Sequence, residues 1–275
     1  MPEGDTIFRA AAALDRALAG NVVIRFDTAL AHLARVHHDT PVTGRTVEAC
    51  EPLGKHLLIR FSGDLILRTH MRMSGSWHLY RPGEAWQRAA RDMRVRVDTE
   101  TWVAVAFNVP VAEFLRTRDL ARNRAVAGLG PDLLSPSFDR DEALRRLQAA
   151  GTRSIADAIL DQRVVAGIGN VYRSEVLFLS GIHPDRPASA LSPEERGRIV
   201  DTAVPLMRAN TGAGASAGIL TRRRLRRTTR HVSGDDNLWV YGRRGKPCRT
   251  CGTPIESVKR GLEARSIYWC PLCQR

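Results

Sequence analysis

Residues 248–273 read CRTCGTPIESVKRGLEARSIYWCPLC. The stretch contains two Cys-x-x-Cys pairs, Cys248 with Cys251 and Cys270 with Cys273. Each pair places two sulfur atoms on one side of a tight turn, and two pairs complete the tetrahedral four-thiolate site of a structural zinc ribbon. Two disulfide bonds are the alternative, which a cytosolic setting disfavours. The spacing therefore predicts one structural Zn²⁺ ion, with a β-hairpin between the two pairs.

The charge of the chain is strongly positive and unevenly distributed. Forty-two Lys and Arg stand against 29 Asp and Glu, which gives a formal net charge of +13. Seven arginines and no acidic residue lie between Thr202 and Gly234, namely Arg208, Arg222, Arg223, Arg224, Arg226, Arg227 and Arg230. Such a local excess favours a polyanionic partner, above all nucleic acid, through counterion release. The alternative, the basic composition of a GC-rich genome, would mix the two signs more evenly.

The sequence has no feature that predicts export or membrane insertion. The amino terminus lacks a basic region followed by an apolar core, and no apolar run is long enough to span a bilayer. We therefore expect a cytoplasmic protein, associated with the nucleoid if its partner is DNA. A chain of 275 residues is long enough for two domains and a small appendage.

The pattern along the chain changes from strands to helices. Residues 5–19 predict a helix that Asp5 caps and Gly20 ends. Short β-branched runs separated by turn signals follow and predict an antiparallel sandwich or barrel, with Cys50 as an inert core residue. Helical patterns come after a polar segment. We expect an α+β protein with a β-rich domain at residues 1–115, a linker at 116–134, a helical domain at 135–236 and the zinc finger at 237–275.

Two internal motifs are suited to contact with a nucleic acid. The stretch Gly-Ile-Gly-Asn that ends at Asn170 joins two predicted helices, and Asn170 as N-cap would leave backbone N–H groups for a phosphate. An ordinary helical hairpin with a capped second helix is the alternative. Lys55 follows Gly54 at a strand start, and Met73 lies in a turn-like Met-Ser-Gly-Ser. An exposed Met in a turn can wedge into a base stack, although a core methionine is the ordinary interpretation.

The amino terminus reads MPEGDTIFRA. Removal of Met1 would leave Pro2 with a free secondary amine and Glu3 directly after it. The ordinary interpretation is that Pro2 begins a helix and that Glu3 interacts favourably with the helix dipole.

Taken together, these motifs resemble the bifunctional DNA glycosylases of the formamidopyrimidine-DNA glycosylase and endonuclease VIII type. The resemblance rests on Pro2-Glu3-Gly4, Gly54-Lys55, the stretch ending at Asn170 and the four-cysteine finger, and it extends in order over nearly the whole chain. The opening PEGDT resembles the endonuclease VIII branch, including its actinobacterial members. The resemblance implies an N-terminal β-sandwich flanked by helices, then a helix-two-turn-helix domain ending in the zinc finger, with DNA in the cleft between the halves.

The resemblance also implies roles for catalytic residues. Pro2 would be the nucleophile that forms a Schiff base with C1′ of the damaged nucleoside, and Glu3 would act as general acid and base. Lys55 would contact the phosphate next to the lesion and assist departure of the base. Asn170 and Arg265 would clamp the phosphates on either side of the extruded nucleotide.

Further DNA contacts follow from the same resemblance, together with two departures from the family pattern. Met73 would fill the void left by the extruded base, and we add Arg72 and Arg260 to the DNA-binding residues. Position 6 is Thr6, where many family members carry a second glutamate. The sequence leaves open whether Asp5 substitutes for that glutamate. The stretch Arg72-Met73-Ser74-Gly75 resembles the formamidopyrimidine branch, yet AFNVPVAEFL, residues 106–115, lacks the Arg and Phe that this branch inserts from the opposite strand. The amino terminus and the insertion loop therefore point to different branches.

The implied activity is that of a DNA glycosylase and AP lyase that prefers oxidised pyrimidines and cuts the strand by β,δ-elimination. The alternatives are a preference for 8-oxoguanine and formamidopyrimidines, AP lyase activity alone, or a non-catalytic zinc-ribbon protein that binds DNA. The expected partner is damaged DNA, in duplex, bubble or single-stranded form. We expect a monomer that uses neither a nucleotide cofactor nor a membrane.

Overall fold

The protein folds into two compact units. The computed structural model describes residues 2–212, 218–220, 226–229, 237–260 and 265–275, with only the backbone at residue 260. The first unit comprises Met1–Gly128 and Thr211–Arg223, and the second comprises Leu129–Asn210 and Arg224–Arg275. Within the arginine-rich segment of the sequence, residues 222–224 and 230 lie outside the described residues.

The first unit is a sandwich of two antiparallel sheets, as the strand pattern predicts. One sheet has the strand order β1-β6-β7-β5-β9 and the other β2-β3-β4-β8. The helices and strands are α1 (Gly4–Leu18), β1 (Arg25–Thr28), α2 (Ala31–Asp39), β2 (Val47–Leu53), β3 (His56–Phe61), β4 (Leu65–His70), β5 (Ser76–Tyr80), β6 (Met93–Asp98), β7 (Val103–Phe107), β8 (Val111–Leu115), α3 (Thr117–Leu120), α4 (Arg124–Ala127) and β9 (Gly218–Ile219).

The core of the first unit lies between the two sheets and beneath α1. Side chains along β3 alternate between the two faces of its sheet, and Leu57, Ile59 and Phe61 all point into this core. Leu58 points to the other face of the same sheet, where it packs with Leu120 of α3. The sheet is therefore covered on both faces.

Helix α1 runs antiparallel to β2, and two hydrogen bonds fix this direction. The Gly20 N–H donates to the Val47 carbonyl at 2.8 Å, and the Cys50 N–H donates to Asp15 Oδ1 at 2.8 Å. From Asp15 back to Glu3 the helix is about 18 Å long. From Cys50 forward to Lys55 the strand and its turn cover about 17 Å in the same direction. The start of α1 and the β2–β3 turn therefore lie at the same edge of the sandwich.

The second unit is helical and ends in a β-hairpin. Its elements are α5 (Arg140–Ala149), α6 (Ile155–Leu160), α7 (Asn170–Leu179), α8 (Pro193–Arg208), β10 (Glu256–Arg260) and β11 (Arg265–Trp269). Strands β10 and β11 pair antiparallel between the two cysteine pairs, as predicted. Among the described residues, no helix combines the length and hydrophobicity required to cross a bilayer.

A buried carboxylate on α7 holds the segment that leads into the zinc finger. Glu175 is fully buried, and its Oε1 accepts from the N–H groups of Val240 at 2.9 Å and Tyr241 at 2.8 Å. Its Oε2 accepts from the Trp239 N–H at 2.8 Å and from the Thr228 hydroxyl. Four hydrogen-bond donors surround one buried carboxylate, and these bonds offset the free-energy cost of removing it from water.

We predict that Glu175→Gln lowers the free energy of unfolding by about 2–4 kcal/mol, because an NH₂ group replaces one of the two accepting oxygens and leaves buried donors without an acceptor. Urea unfolding followed by circular dichroism measures this loss. The matched control is Glu256→Gln on exposed β10, which should stay within about 0.5 kcal/mol of wild type. A Glu175→Gln protein as stable as this control would contradict the assignment.

Candidate functional site

The amino terminus lies at the positive end of α1. Glu3, rather than Asp5 as the sequence predicted, is the N-cap residue, and its carbonyl accepts from the N–H groups of Thr6 at 2.9 Å and Ile7 at 3.0 Å. The Glu3 side chain is fully buried and makes no capping hydrogen bond. Pro2 precedes it and is half-buried. The helix dipole at this end favours the neutral form of a nearby amine.

Asp5 points into a buried ion pair within the first two turns of α1. Arg9 NH1 lies 3.2 Å from Asp5 Oδ2, and the Thr6 hydroxyl donates to Asp5 Oδ1 at 3.2 Å. Arg9 NH2 also donates to the Thr6 hydroxyl at 3.4 Å. Asp5 and Arg9 are both buried. A side chain used in this way does not satisfy the helix end, which explains why the predicted cap is absent.

The β2–β3 turn carries Lys55. Strand register pairs Leu53 with His56, so that Gly54 and Lys55 form a two-residue turn. Gly54 has φ +57°, in the left-handed region that favours glycine. From the direction of α1 given above, this turn lies at the edge where the helix begins.

Strand β4 brings a loop to the same edge. His70 pairs with His56 in register, and the two rings are 4.8 Å apart. The loop that follows places Met73 in solvent with 71% of its surface exposed, the largest exposed fraction of any large apolar side chain among the described residues. Arg72 adopts φ +46° within this loop. We call the edge that carries Pro2, Glu3, Lys55, His70 and Met73 the N-terminal edge.

The Met73 loop depends on a glycine. A Cβ at Gly75 would lie 2.6 Å from the Met71 carbonyl oxygen, a backbone atom that cannot move aside. The Gly75 N–H donates to that same oxygen at 2.9 Å and closes the turn. Met71 is buried in the core and anchors this turn, and the turn directs Met73 into solvent.

His70 is a residue of this edge that the sequence interpretation did not include in the site. Burial, and then the positive charges of Lys55 and Arg72, lowers the pKa of His70 to about 4. The ring is therefore neutral at pH 7, and its Nδ1 accepts from the Arg72 N–H at 3.3 Å, which leaves the ring proton on Nε2. The register of the β3–β4 hairpin, with Lys55 one residue before His56, is the signal that could have identified it.

The turn between β7 and β8 exposes Pro110 and carries no long apolar side chain in solvent such as that of Met73. Asn108 adopts φ +50°, and Val109 after it is completely buried. The sequence indicated that an inserting Arg and Phe are absent here. Because Val109 is buried, its side chain is not available to replace them.

In the second unit, Asn170 lies beside the start of β11. The N-cap of α7 is Gly169, so the expectation that Asn170 caps this helix was wrong. Asn170 instead donates through Nδ2 to the Ser266 carbonyl at 2.8 Å, and its Oδ1 accepts from buried Arg173. Because Ser266 follows Arg265 directly, two of the residues predicted to clamp phosphates lie next to each other.

The turn before α7 has a brace that the sequence interpretation also missed. Gln162 Oε1 accepts from the Gly167 N–H at 3.0 Å, and Gln162 Nε2 donates to the Ile168 carbonyl at 3.0 Å. Gly167 adopts φ +106°. A glutamine in a polar loop gives no sequence signal of such a contact, since the partner atoms belong to the backbone.

Of the remaining predicted residues, Arg265 is half-buried at the start of β11 and pairs in register with Arg260. The side chain of Arg260 lies outside the described part of the structure. Cys50 is buried in β2, where burial and then the Asp15 carboxylate raise the pKa of its thiol, in keeping with an inert core residue.

The four cysteines converge at one point of the second unit. Their Sγ atoms all lie within 4.8 Å of one another, with Cys251 at 3.4 Å from both Cys270 and Cys273 and Cys248 at 3.9 Å from Cys273. A tetrahedral Zn²⁺ site with Zn–S bonds of about 2.3 Å requires sulfur separations of about 3.8 Å. Disulfide bonds would require about 2.05 Å, so the geometry matches a metal and not the alternative.

Comparison with known proteins agrees with the fold and the motifs. The formamidopyrimidine-DNA glycosylase N-terminal domain model matches residues 1–112, and the formamidopyrimidine-DNA glycosylase H2TH domain model matches residues 129–220. A probable endonuclease 8 2 from Streptomyces coelicolor is 43% identical over the whole of this chain and 94% of its own. The DNA-(apurinic or apyrimidinic site) lyase Nei2 of Mycolicibacterium smegmatis is 38% identical over all of this chain and 99% of its own.

Solved structures show the same fold. The Lactococcus lactis Fpg in complex with DNA that contains an abasic site superposes with a TM-score of 0.82 over the full length of both chains, at 22% identity. The chain belongs to the formamidopyrimidine-DNA glycosylase and endonuclease 8 family, with actinobacterial endonuclease 8 proteins among its relatives.

Proposed function

We propose that the protein is a bifunctional DNA glycosylase and AP lyase of base excision repair. The observation that carries the proposal is the position of Pro2 and buried Glu3 at the start of α1, at the edge that also carries Lys55 and Met73. Relatives named endonuclease 8 and DNA-(apurinic or apyrimidinic site) lyase support it.

The first step is attack by the Pro2 amine, which removal of Met1 frees. The nitrogen lone pair forms a bond to C1′ as the glycosidic bond breaks. The departing base keeps the two electrons of the glycosidic bond and takes up a proton. The nitrogen then loses its remaining proton and expels O4′, which Glu3 protonates. The product is an iminium ion between Pro2 and C1′. A terminal amine with a reference pKa of about 8 has the neutral fraction that this step needs.

Strand scission follows from the charge of the iminium ion. The ion acidifies the C2′ proton, and loss of that proton expels the 3′ phosphate. A second elimination expels the 5′ phosphate, and hydrolysis of the iminium ion returns Pro2. The result is a one-nucleotide gap with phosphate at both ends, and Glu3 is the group that moves protons between these steps.

Holding the nucleotide outside the helix requires phosphate contacts and a filled void. Lys55 and Arg72 supply positive charge at the N-terminal edge, and Asn170, Arg260 and Arg265 supply phosphate contacts from the second unit. Unstacking a base costs a few kcal/mol, less when the base is damaged, and such contacts offset this cost. Exposed Met73 is the side chain that enters the vacated space.

The four cysteines would hold a structural Zn²⁺ ion. Because four protein thiolates complete a tetrahedron, the ion would stabilise the finger and offer no position for substrate. In this proposal residues 1–115 carry catalysis, 116–134 connect, 135–236 form the helix-two-turn-helix domain and 237–275 form the zinc finger.

The preferred substrates are oxidised pyrimidines. The opening PEGDT supports the endonuclease 8 branch, and so does the absence of an inserting Arg and Phe between β7 and β8. Arg72-Met73-Ser74-Gly75 resembles the formamidopyrimidine branch instead, so the assignment rests on PEGDT. The partner is damaged DNA, bound by a monomer in the bacterial cytoplasm. No step transfers phosphate or consumes reducing equivalents, so the chemistry requires no nucleotide cofactor.

Pro2→Gly should reduce borohydride trapping on abasic-site DNA at least about 100-fold, because the cyclic secondary amine is the nucleophile. Trapping is measured by gel shift, and mass spectrometry of the adduct should map it to Pro2 with Met1 absent. The matched control is Pro82→Gly in an exposed turn, which should trap like wild type. An adduct on any other residue would contradict the assignment.

Glu3→Gln separates this enzyme from a non-catalytic DNA-binding protein. The Glu3 side chain makes no capping hydrogen bond, so the variant keeps the cap of α1. Base release should fall at least about 100-fold, while affinity for a duplex with a tetrahydrofuran abasic analogue stays within about threefold of wild type. Full base release by Glu3→Gln would rule out its role as the acid.

A panel of lesion duplexes tests the substrate class. We expect kcat/KM for thymine glycol and 5-hydroxyuracil to exceed that for 8-oxoguanine at least about tenfold, since pocket contacts worth a few kcal/mol discriminate bases. Cleavage of the abasic-site duplex alone would indicate a lyase without glycosylase activity. Preference for 8-oxoguanine would reverse the assignment of the branch.

Removal of one cysteine ligand should remove the metal. We expect about one zinc per chain in the purified protein, none after Cys270→Ala, and an affinity for abasic-analogue DNA at least about tenfold lower in that variant. Cys50→Ala, which removes a buried thiol from the first unit, should keep the zinc. Plasma mass spectrometry measures the metal, and zinc retained in Cys270→Ala would contradict the four-thiolate site.

A further inference from the structure

The ion pair of Asp5 and Arg9 lies unusually close to the proposed nucleophile. Asp5 is three residues from Pro2, which limits the distance between their Cα atoms to about 11 Å. Both charged side chains are buried, at 0% and 6% exposure, so water screens them weakly. A net charge at this position would therefore shift the pKa of the Pro2 amine.

The two charges act on the amine in opposite directions. The Asp5 carboxylate favours the protonated amine, which cannot attack C1′, and the Arg9 guanidinium favours the neutral amine, which can. Their contact at 3.2 Å makes the two effects largely cancel. A buried pair is weak evidence for stability in itself, so its position beside a reacting group suggests another purpose.

The residue between them completes the arrangement. Where many family members carry a second glutamate, this chain has Thr6, whose hydroxyl donates to Asp5 Oδ1. The extra carboxylate of the first turn is therefore Asp5, and it is held in a pair with a cation. Asp5 does not replace the second glutamate as an unbalanced negative charge.

Other ionisable groups lie on α1 and on the strands that pack against it. Strands β2 and β3 pack against α1, and Lys55 lies on the turn between them. Burial, followed by the His70 and Arg68 charges, lowers the pKa of His56 to about 3, so His56 is neutral near pH 7. Of the described residues, the ionisable groups on α1 and these strands besides the pair are Glu3, Asp15, Arg16, Glu48, Cys50, Glu51, His56 and Arg60.

The geometry points to Arg9 as a positioning residue that cancels the Asp5 charge and so keeps the Pro2 amine deprotonated near neutral pH. This inference rests on the proposed function, because it assigns the control of the same amine. Arg9 touches neither the amine nor the sugar in this role. It acts through Asp5.

The test is the pH dependence of Schiff-base formation. Single-turnover trapping on abasic-site DNA with cyanoborohydride, measured from pH 5.5 to 9, gives the midpoint at which the amine becomes reactive. Arg9→Met should raise this midpoint by about one pH unit, and Asp5→Asn should lower it by about the same amount. Arg9→Lys, which keeps the charge, and the double variant Asp5→Asn with Arg9→Met should stay within about 0.3 unit of wild type.

Opposite shifts that cancel in the double variant are the signature of electrostatic control. A purely structural role of the pair would lower the amount of trapped product without moving the midpoint, and that outcome overturns the inference. If Arg9→Met does not fold, the acid shift of Asp5→Asn decides alone, and an unmoved midpoint overturns the inference. Wild-type protein that traps no DNA at Pro2 refutes the proposed function instead, so the two failures are distinguishable.

Discussion

The direction of α1 against β2 is the constraint on which the N-terminal edge depends. Two contacts set it, the Gly20 N–H to the Val47 carbonyl and the Cys50 N–H to Asp15, and the second is a hydrogen bond from backbone to a charged group. Ile7, Ala10 and Ala11 of the same helix are buried in the core and carry this placement to its amino end. The position of Pro2 and Glu3 is thus a consequence of how α1 packs along its length.

The second unit achieves the same result with a buried anion. Glu175 accepts hydrogen bonds from Thr228 and from three consecutive residues, Trp239 to Tyr241. These bonds attach to α7 the segment that leads into the four-cysteine hairpin. The Trp239 ring then stacks on Phe178 of the same helix, with ring centroids 5.5 Å apart. Asn170 at the start of α7 holds β11 through Ser266. One helix therefore orients both the turn that precedes it and the β10–β11 hairpin.

The sequence reveals those features whose signal is carried by spacing, and conceals those that depend on burial or on distant backbone partners. The cysteine pairs, the sandwich strands and the Met73 turn were all predicted, since spacing, alternation and turn residues are local properties. Glu175 has the appearance of a solvent-facing helical residue, and Asp5 with Arg9 that of an ordinary surface pair at i, i+4. Only tertiary burial distinguishes them. For the same reason Asp5 was expected to cap α1 and Asn170 to cap α7, whereas both side chains are used elsewhere.

Charge acts on two length scales in this protein, and the structure keeps them apart. The net charge of +13 produces a long-range field that attracts a polyanion and weakens with salt. Two buried arginines are instead compensated locally, Arg9 by Asp5 at 3.2 Å and Arg68 by Glu113 at 2.6 Å. Each of these two buried charges therefore has a partner of opposite sign beside it, while the long-range field comes from the net excess of basic residues.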